Sequence, residues 1–308
     1  MASPSLLRLG TRGSALARWQ ADWVADQLRQ QEVNVEIILI STTGDTRVGS
    51  LSAGGSPGLF TKEIQAALLR DEIDIAVHSL KDLPTQVTPG LQLAAVPLRA
   101  SPWDVLVSNQ ADELEALAEG AHVGTGSPRR RAQLLNLRPD LEVSDVRGNV
   151  DTRLRKLDEG QYDALILAEA GLQRLELGHR ITQVLAANQM LPAVGQGALG
   201  VEIRDPDQAT RNILESLNDP ATTAAVTAER TVLATLQAGC LAPVATWGRI
   251  ENGQLQLDAL VLSENGDQRL SAQAQGSLEE ATAVGESVAQ QLLRQGAARL
   301  IEAAHPDN

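Results

Sequence analysis

Short apolar stretches that read as β-strands alternate with longer amphipathic stretches that read as α-helices through the first two thirds of this 308-residue chain. Leu6–Gly10 is predicted as a strand, and a helix capped by Ser14 is predicted to follow it as far as Arg29. Further strands are predicted at 35–40, 73–77 and 91–96, with a helix at 61–70. This alternation is typical of an α/β domain with a mostly parallel sheet.

The same pattern starts again after residues 97–103, which predicts a second α/β domain of similar size. Ser127 followed by Pro128 predicts one helix start, and Asn149 predicts another. The predicted strands are 104–107, 122–124, 142–146 and 163–168, and a helix is predicted at 113–119. A further strand at 197–203 and helix at 208–217 come after this second set.

The pattern changes after Pro220. A long helix to Gly239 precedes three alternating segments, at 244–249, 254–263 and 269–275, and a closing helix is predicted at 279–303. The pairs Asn252-Gly253 and Asn265-Gly266 between the segments predict tight hairpin turns. This part is therefore predicted to be a small α+β domain.

Composition excludes several classes of function. A net charge of −13 disfavours nonspecific binding to nucleic acid or to anionic membranes, and six aromatic residues are too few for a base-stacking surface. The four histidines have no metal-ligand spacing, so no metal is expected. The longest uncharged stretch, 181–201, carries polar residues, a proline and three glycines, so it does not predict a membrane span.

The first residues lack a basic segment followed by an apolar one, and the single cysteine excludes an internal disulfide framework. Both features lead us to expect a cytoplasmic protein.

Three predicted strand-to-helix junctions combine small residues with arginine: 11–14, 124–130 and 147–153. Free N–H groups at a helix start favour anions, and arginine adds bidentate binding of carboxylate or phosphate. The nucleotide motifs are missing, because Gly124-x-Gly126 lacks the third glycine and no Walker loop is present. A single such arginine would be read as part of a solvated helix face, but together the junctions predict a cleft for a polyanion.

A buried strand delivers Ser79, Lys81 and Asp82 into a loop that Pro84 closes. Ligands of open α/β sheets bind beyond the carboxyl ends of the strands, so Asp82 is placed for proton transfer or for stabilising a cation. The alternative is a carboxylate that only caps a turn. His78 is read as a histidine satisfied at the strand end.

Cys240, the only cysteine, follows Gly239 at the end of a predicted helix, and Pro243 prevents an easy return to helix. A bound group could reach a thiol in this position. The alternative is a small buried hydrophobic side chain.

Seven motifs occur in a recognisable order: 11–14, 58–63, 74–85, 147–150 with 152–154, 170–172, 195–198 and Gly239-Cys240. The most specific is His78-Ser79-Leu80-Lys81-Asp82-Leu83-Pro84-Thr85. On these motifs the chain resembles the porphobilinogen deaminase family over nearly its whole length.

The resemblance implies two α/β domains like those of periplasmic binding proteins, with the chain crossing between them twice, and a small α+β C-terminal domain that carries the cofactor cysteine. On this chain the implied domains are 1–97 with 198–217, then 103–193, then 220–308.

The resemblance also implies a reaction. The family joins four porphobilinogen molecules head to tail, releases ammonia each time, and frees linear hydroxymethylbilane for tetrapyrrole synthesis. The implied cofactor is a dipyrromethane held by a thioether to Cys240. The implied partners are porphobilinogen and polypyrrole carboxylates, with no nucleic acid and no membrane, and a monomeric enzyme is expected.

Individual roles follow from the resemblance. Asp82 and Lys81 are the implied catalytic residues. Cofactor binding is implied for Cys240, Lys81, Asp82, Ser79, Thr125, Ser127, Arg129, Arg130, Arg153 and Gly171. Substrate binding is implied for Arg12, Ser14, Phe60, Arg147, Arg174 and Gln196.

The chain departs from the family's pattern in one loop above all. Pro57 and Ala53 stand where lysines are usual, which bears on substrate capture. Trp103 also replaces the usual arginine of the linker between the first two domains. The alternative function is therefore a catalytically impaired, two-lobed anion-binding protein of the same fold.

Overall fold

A computed structural model of the chain describes residues 6–41, 61–239 and 242–304. The chain divides into two compact units. The first combines the residues up to Arg99 with Ala198–Thr223, and the second combines Ala100–Gly197 with the rest of the chain. The finer division into three domains stays a prediction.

The first unit is built on a five-stranded sheet. Its strands are β1 (Leu7–Thr11), β2 (Val35–Leu39), β3 (Ile75–Ser79), β4 (Leu91–Ala95) and β10 (Leu199–Arg204). Their order is β2-β1-β3-β10-β4. β10 runs antiparallel to both of its neighbours, so the other four strands share one direction. The predicted mostly parallel sheet is confirmed.

Helices cover this sheet: α1 (Ala15–Arg29), α2 (Lys62–Leu69) and α6 (Gln208–Leu214). α1 begins where the sequence predicts, because the Ser14 side chain accepts a hydrogen bond from the backbone N–H of Ala17. Val24 and Leu28 of α1 pack with Leu9 and Val77 of the sheet in one apolar core. This packing sets the carboxyl ends of β1 and β3 beside the start of α1.

The second unit contains a sheet of the same design. Its strands are β5 (Asp104–Ser108), β6 (His122–Gly124), β7 (Glu142–Ser144), β8 (Ala164–Ala168) and β9 (Gln183–Val184). The order is β7-β6-β8-β5-β9, and β5 is the strand that runs against its neighbours. The helices are α3 (Pro128–Leu137), α4 (Val150–Asp158) and α5 (Glu169–Arg174).

A small α+β part completes the second unit, as predicted. Three antiparallel strands, β11 (Val244–Glu251), β12 (Gln254–Leu262) and β13 (Arg269–Gly276), pack with α7 (Pro220–Thr235), α8 (Ala281–Arg294) and α9 (Ala297–Ala303). The predicted two α/β domains with a small α+β C-terminal domain are thus the observed fold class.

Specific contacts join this small part to the α/β part of the same unit. The buried Glu229 of α7 accepts hydrogen bonds from the backbone N–H groups of Gly195 and Gly248. The rings of Trp103 and Trp247 lie 4.8 Å apart, and the Arg249 guanidinium lies over Trp247. The linker residue that departs from the family's pattern is therefore part of this joint.

Two predicted helices differ from the structure. The helix expected at 113–119 is only a 3₁₀ turn, Leu114–Ala116, because Arg138 donates to the carbonyl oxygens of Leu114 and Leu117 and replaces helical partners. The helix expected at 279–303 is two helices, since Gly296 takes a left-handed φ of +99° between α8 and α9.

Within the described ranges, no helix combines the length and the apolar character needed to cross a lipid bilayer.

Candidate active site

In the first unit a cleft opens where β3 ends. Ser79 is the last residue of β3, and the 3₁₀ turn Leu80–Asp82 follows it directly. The cleft is open to solvent and is lined by Arg12, Ser14, Leu16, Ala17, Gln20, Thr61, Ile64, Val77, His78, Ser79 and Asp82. The predicted residues Arg12, Ser14, Ser79 and Asp82 therefore share one cavity. Lys81 is exposed on the same turn and does not line the cleft.

Three hydrogen bonds hold this cleft in shape. The buried Gln20 donates from Nε2 to Ser79 Oγ at 2.7 Å. The backbone N–H of Leu80 donates to the Ala198 carbonyl at 3.0 Å, which ties the Asp82 turn to the residue before β10. Thr11 Oγ1 donates to the Ala17 carbonyl and fixes the β1–α1 junction. Arg12 and Asp82 thus extend from a rigid frame.

In the second unit, a buried carboxylate organises two of the predicted arginines. Asp104 is fully buried, and its Oδ1 lies 2.7 Å from Arg130 Nη2, while its Oδ2 lies 2.7 Å from Arg129 Nη1. Gln196 Nε2 donates to Asp104 Oδ1 at 2.9 Å. Burial alone would raise the pKa of Asp104, but the two arginines outweigh it and lower the pKa to about 2.

Arg129 is more deeply buried than a side chain that lines an open cleft. It is 4% exposed, and its Nη1 also donates to the Leu191 carbonyl at 2.5 Å. Burial, with Arg130 next to it, lowers the pKa of Arg129, and Asp104 opposes this effect. Arg129 Nε has no hydrogen-bond partner among the described residues. Gln196 is 1% exposed and donates to the Pro102 carbonyl as well. Ligand contacts for these two residues remain predictions.

Thr125 and Ser127 shape the start of α3. The Ser127 hydroxyl oxygen accepts from the backbone N–H of Arg130 and caps the helix, with Pro128 in the first turn as predicted. Thr125 Oγ1 accepts from the backbone N–H of Ser127 at 3.3 Å. Each hydroxyl oxygen thus accepts a hydrogen bond from the backbone, and ligand contacts of these two residues remain predictions.

Arg153 and Arg174 are half-buried arginines. Burial, reinforced by the charge of Arg130, lowers the pKa of Arg153 to about 10, and burial lowers the pKa of Arg174 to about 10. Arg153 Nε donates to the Gly148 carbonyl, and Arg174 Nη2 donates to the Gly197 carbonyl, both at 2.8 Å. An anion at these side chains would favour their charged forms. The residues therefore fit a ligand with several carboxylates.

The other predicted residues are less enclosed or lie outside the described ranges. Arg147 is 38% exposed and lies 3.3 Å from Asp145, and Gly171 lies half-buried in α5. Phe60, Cys240 and the loop with Ala53 and Pro57 are outside the described residues. In the described part of the chain, no group of three or more His, Cys, Asp or Glu side chains could hold a metal ion.

Sequence reasoning missed the residues that support the site from behind. Asp104, Gln20 and Glu202 are buried polar residues next to predicted site residues. Asp104 carried a signal, since a carboxylate that opens an apolar strand needs a buried partner. No sequence signal pointed to Gln20, because a glutamine in an amphipathic helix usually faces solvent.

Family models match nearly the whole chain. The model described as porphobilinogen deaminase, dipyromethane cofactor binding domain, matches residues 7–212, and the model of the porphobilinogen deaminase C-terminal domain matches residues 223–294. The chain belongs to the porphobilinogen deaminase family. The predicted transferase class and dipyrromethane cofactor are thereby confirmed, and the impaired anion-binding alternative is not favoured.

Curated relatives agree over their full lengths. A porphobilinogen deaminase of Desulforudis audaxviator is 50% identical over 95% of this chain and 96% of its own length. That of Acidothermus cellulolyticus is 48% identical over 98% of this chain and 93% of its own. Among solved structures, a putative methionine-binding lipoprotein from Bacillus subtilis aligns at 14% identity over 69% of this chain and 89% of its own, with a TM-score of 0.44.

Proposed function

We propose that this chain is a hydroxymethylbilane synthase in which the cleft at Asp82 binds the reacting pyrrole and the arginines of the second unit bind the carboxylates of the growing chain. The family match carries the reaction: four porphobilinogen molecules are joined head to tail with release of ammonia. The half-buried Arg153 and Arg174, whose pKa values burial lowers to about 10, support the division of roles, because a polycarboxylate favours their charged forms.

Asp82 acts on the charge that develops during the reaction. Positive charge appears on the pyrrole as ammonia leaves, and an exposed carboxylate at the end of β3 stabilises it and accepts a pyrrole N–H. Arg12 and Ser14 line the same cleft and bind the substrate's acetate and propionate groups. Ser79 is oriented by Gln20, so its hydroxyl proton is available to a ligand.

The dipyrromethane, attached through a thioether at Cys240, would supply the free pyrrole α-carbon to which the first ring is joined. Arg129, Arg130 and Arg153, with Thr125 and Ser127, would hold its carboxylates, and Lys81 and Gly171 would border it. Arg147, Arg174, Gln196 and Phe60 would serve the incoming or growing chain. Asp104 holds the Arg130 guanidinium in one geometry.

We further propose that the enzyme works as a monomer in the cytoplasm. The single cysteine supports a reducing compartment, because no internal disulfide can form. Sedimentation of the purified protein tests the monomer, and fractionation of the source cells tests the compartment.

Two measurements test the central assignment. Intact mass should exceed the sequence mass by two condensed pyrrole units, and peptide mapping should place them on Cys240. Asp82→Ala should keep the folded cofactor-loaded state yet lose at least about a hundredfold in turnover, the usual scale for a positioned acid–base group. The matched control is Asp22→Ala, which removes an exposed carboxylate from α1 away from the cleft lining. Near-normal turnover of the Asp82 variant would refute the assignment.

A further inference from the structure

Behind the cleft of the first unit lies a buried polar group to which no role has been assigned. The side chains of Glu202 in β10 and His78 in β3 are 5% and 3% exposed, and Gln65 of α2 is buried with them. Gln65 Nε2 donates to both carboxylate oxygens of Glu202, at 3.0 and 3.1 Å. Polar side chains from three different elements therefore meet inside the apolar core, where each needs a partner.

The register of the sheet brings the carboxylate to the imidazole. In the antiparallel pairing of β3 and β10, Ala76 lies opposite Glu202 and His78 lies opposite Gly200. Glu202 and His78 are thus diagonal neighbours, a separation that long side chains bridge. Because strand pairing fixes both backbones, the contact between the two side chains is built into the fold.

The contact requires a proton. His78 Nε2 lies 3.3 Å from Glu202 Oε2, yet no described residue gives this nitrogen a hydrogen bond of good geometry. Two facing lone pairs at that separation would repel in a buried site, so the contact favours the tautomer of His78 that carries its proton on Nε2.

His78 also lines the cleft, next to Ser79 and on the same wall as Asp82. One edge of the ring is therefore committed to Glu202, while the residue contributes to the surface that a ligand meets. A neutral imidazole with its proton on Nε2 keeps Nδ1 as an acceptor, so the partner of Nε2 decides the chemistry of the whole ring.

We propose that Glu202, itself oriented by Gln65, is a positioning residue that holds the proton on His78 Nε2 and thereby fixes the orientation and tautomer of the ring in the cleft wall. This inference rests on the proposed role of the cleft as the pyrrole site. Glu202 acts through His78 and is placed behind the cleft, so it does not contact the substrate.

Glu202→Gln tests the proposal in the cofactor-loaded enzyme. The amide is the same size and presents an N–H₂ donor, which turns His78 Nε2 into the acceptor. With ¹⁵N-labelled histidine, NMR should show the His78 proton on Nε2 in the parent and on Nδ1 in the variant. The value of kcat/KM should fall roughly tenfold, the scale on which partners that orient a histidine act.

Matched variants separate positioning from stability. Asp74→Asn removes a carboxylate at the opposite end of β3, where it pairs with Arg8 and Arg204, and should lower stability while leaving the His78 signals and kcat/KM unchanged. Gln65→Met removes the donor to Glu202 and should move the His78 signals in a folded protein even if Glu202→Gln does not fold.

Unchanged His78 NMR signals in both Glu202→Gln and Gln65→Met would overturn the proposal. The proposal would also fail if Glu202→Gln lowered kcat/KM by the same factor in the parent and in a His78→Gln background. A residue that acts through His78 loses its effect when the ring is absent. The NMR signals do not depend on turnover. Failure of the Asp82 assignment would therefore leave the coupling between Glu202 and His78 measurable.

Discussion

Asp104 shows how this acidic protein stabilises a concentration of positive charge. One fully buried carboxylate lies against Arg129 and Arg130, and its depressed pKa of about 2 keeps it ionised under all physiological conditions. Without it, two guanidinium groups would be buried together with no anion. The arginines of the candidate site therefore depend on a residue that does not itself face a ligand.

Replacing this carboxylate should be costly. We expect Asp104→Asn to lower the free energy of unfolding by about 3–5 kcal/mol, because it leaves two buried cations uncompensated. Denaturant titration measures the change. The folded pKa of Asp104 is depressed, so its stabilisation is present above the usual carboxyl range and is lost as the pH falls toward about 2. The variant should lack this part of the acid dependence; equal stability of parent and variant at pH 7 would contradict the role.

Replacing Arg153 should not lower the stability of the protein, in contrast to replacing Asp104. Its pKa is lowered to about 10, so folding disfavours its charged form below that pH. Arg153→Met should therefore leave the Tm of cofactor-free protein equal or higher while reducing cofactor loading, measured as the modified fraction in intact mass spectra. Arg155→Met is the control on the same helix, because Arg155 is 63% exposed and pairs with Glu159. A variant at Arg153 that melts lower and still loads fully would contradict this prediction.

The difference between Arg129 and Arg153 marks the limit of sequence reasoning at this scale. Both were predicted from the charge pattern at helix starts, and Ser14, Ser127 and Asn149 cap those helices as expected. The pattern is local, so it places an arginine at a junction. It does not reveal that a strand 25 residues earlier supplies Asp104 to Arg129, since that contact depends on sheet order.

At the scale of elements, the hairpin between β12 and β13 packs against the backbone of α3. Its turn residue Gly266 has a φ of +75°, and a Cβ there would lie 2.4 Å from the Ala132 carbonyl and 2.5 Å from the Asn136 nitrogen of α3. Asn136 also donates to the Gly266 carbonyl at 2.7 Å. The turn therefore contacts the backbone of the helix that carries Arg129 and Arg130.

This contact predicts different outcomes for two similar glycines. Gly253 turns the preceding hairpin with a φ of +77°, but its Cβ would meet nothing within 4 Å. Both alanine variants should pay for the left-handed backbone, roughly 1 kcal/mol. Gly266→Ala should cost a further 1–3 kcal/mol or so from overpacking and should reduce cofactor loading. Equal unfolding free energies for the two variants would show that close packing of the turn against α3 does not contribute to stability.

The hairpin turn at Asn252-Gly253 was predictable from the sequence, and the 3₁₀ turn at 114–116 was not. Asn252 and Gly253 specify their turn through their own backbone preferences, with φ of +51° and +77° between the paired Glu251 and Gln254, whereas six residues join β12 to β13 around Asn265-Gly266. Residues 113–119 have helix-forming composition, but Arg138 from the end of α3 binds the carbonyl oxygens that a helix would use. A tertiary contact overrides local propensity there.

At the scale of the molecule, several arginines cluster at the helix starts of the second unit, in a protein whose net charge is −13. Cofactor-free protein, produced in cells unable to make porphobilinogen, should have a lower Tm than loaded protein, since Arg153 and Arg174 then lack their ligand. Inorganic sulfate should raise the Tm of cofactor-free protein more than that of loaded protein, by scanning calorimetry. Equal responses to sulfate would contradict a cleft that binds several carboxylates.

The strand order of the first sheet also dictates when it can form during synthesis. Among the described strands of that sheet, β4 bonds only to β10, and β10 begins at Leu199, more than a hundred residues after β4 ends. At about 5–20 residues per second, a ribosome takes on the order of ten seconds to deliver that partner. In this interval β4 lacks the strand it pairs with and β3 lacks one neighbour, so we expect a nascent chain halted before residue 199 to expose strand edges that chaperones bind.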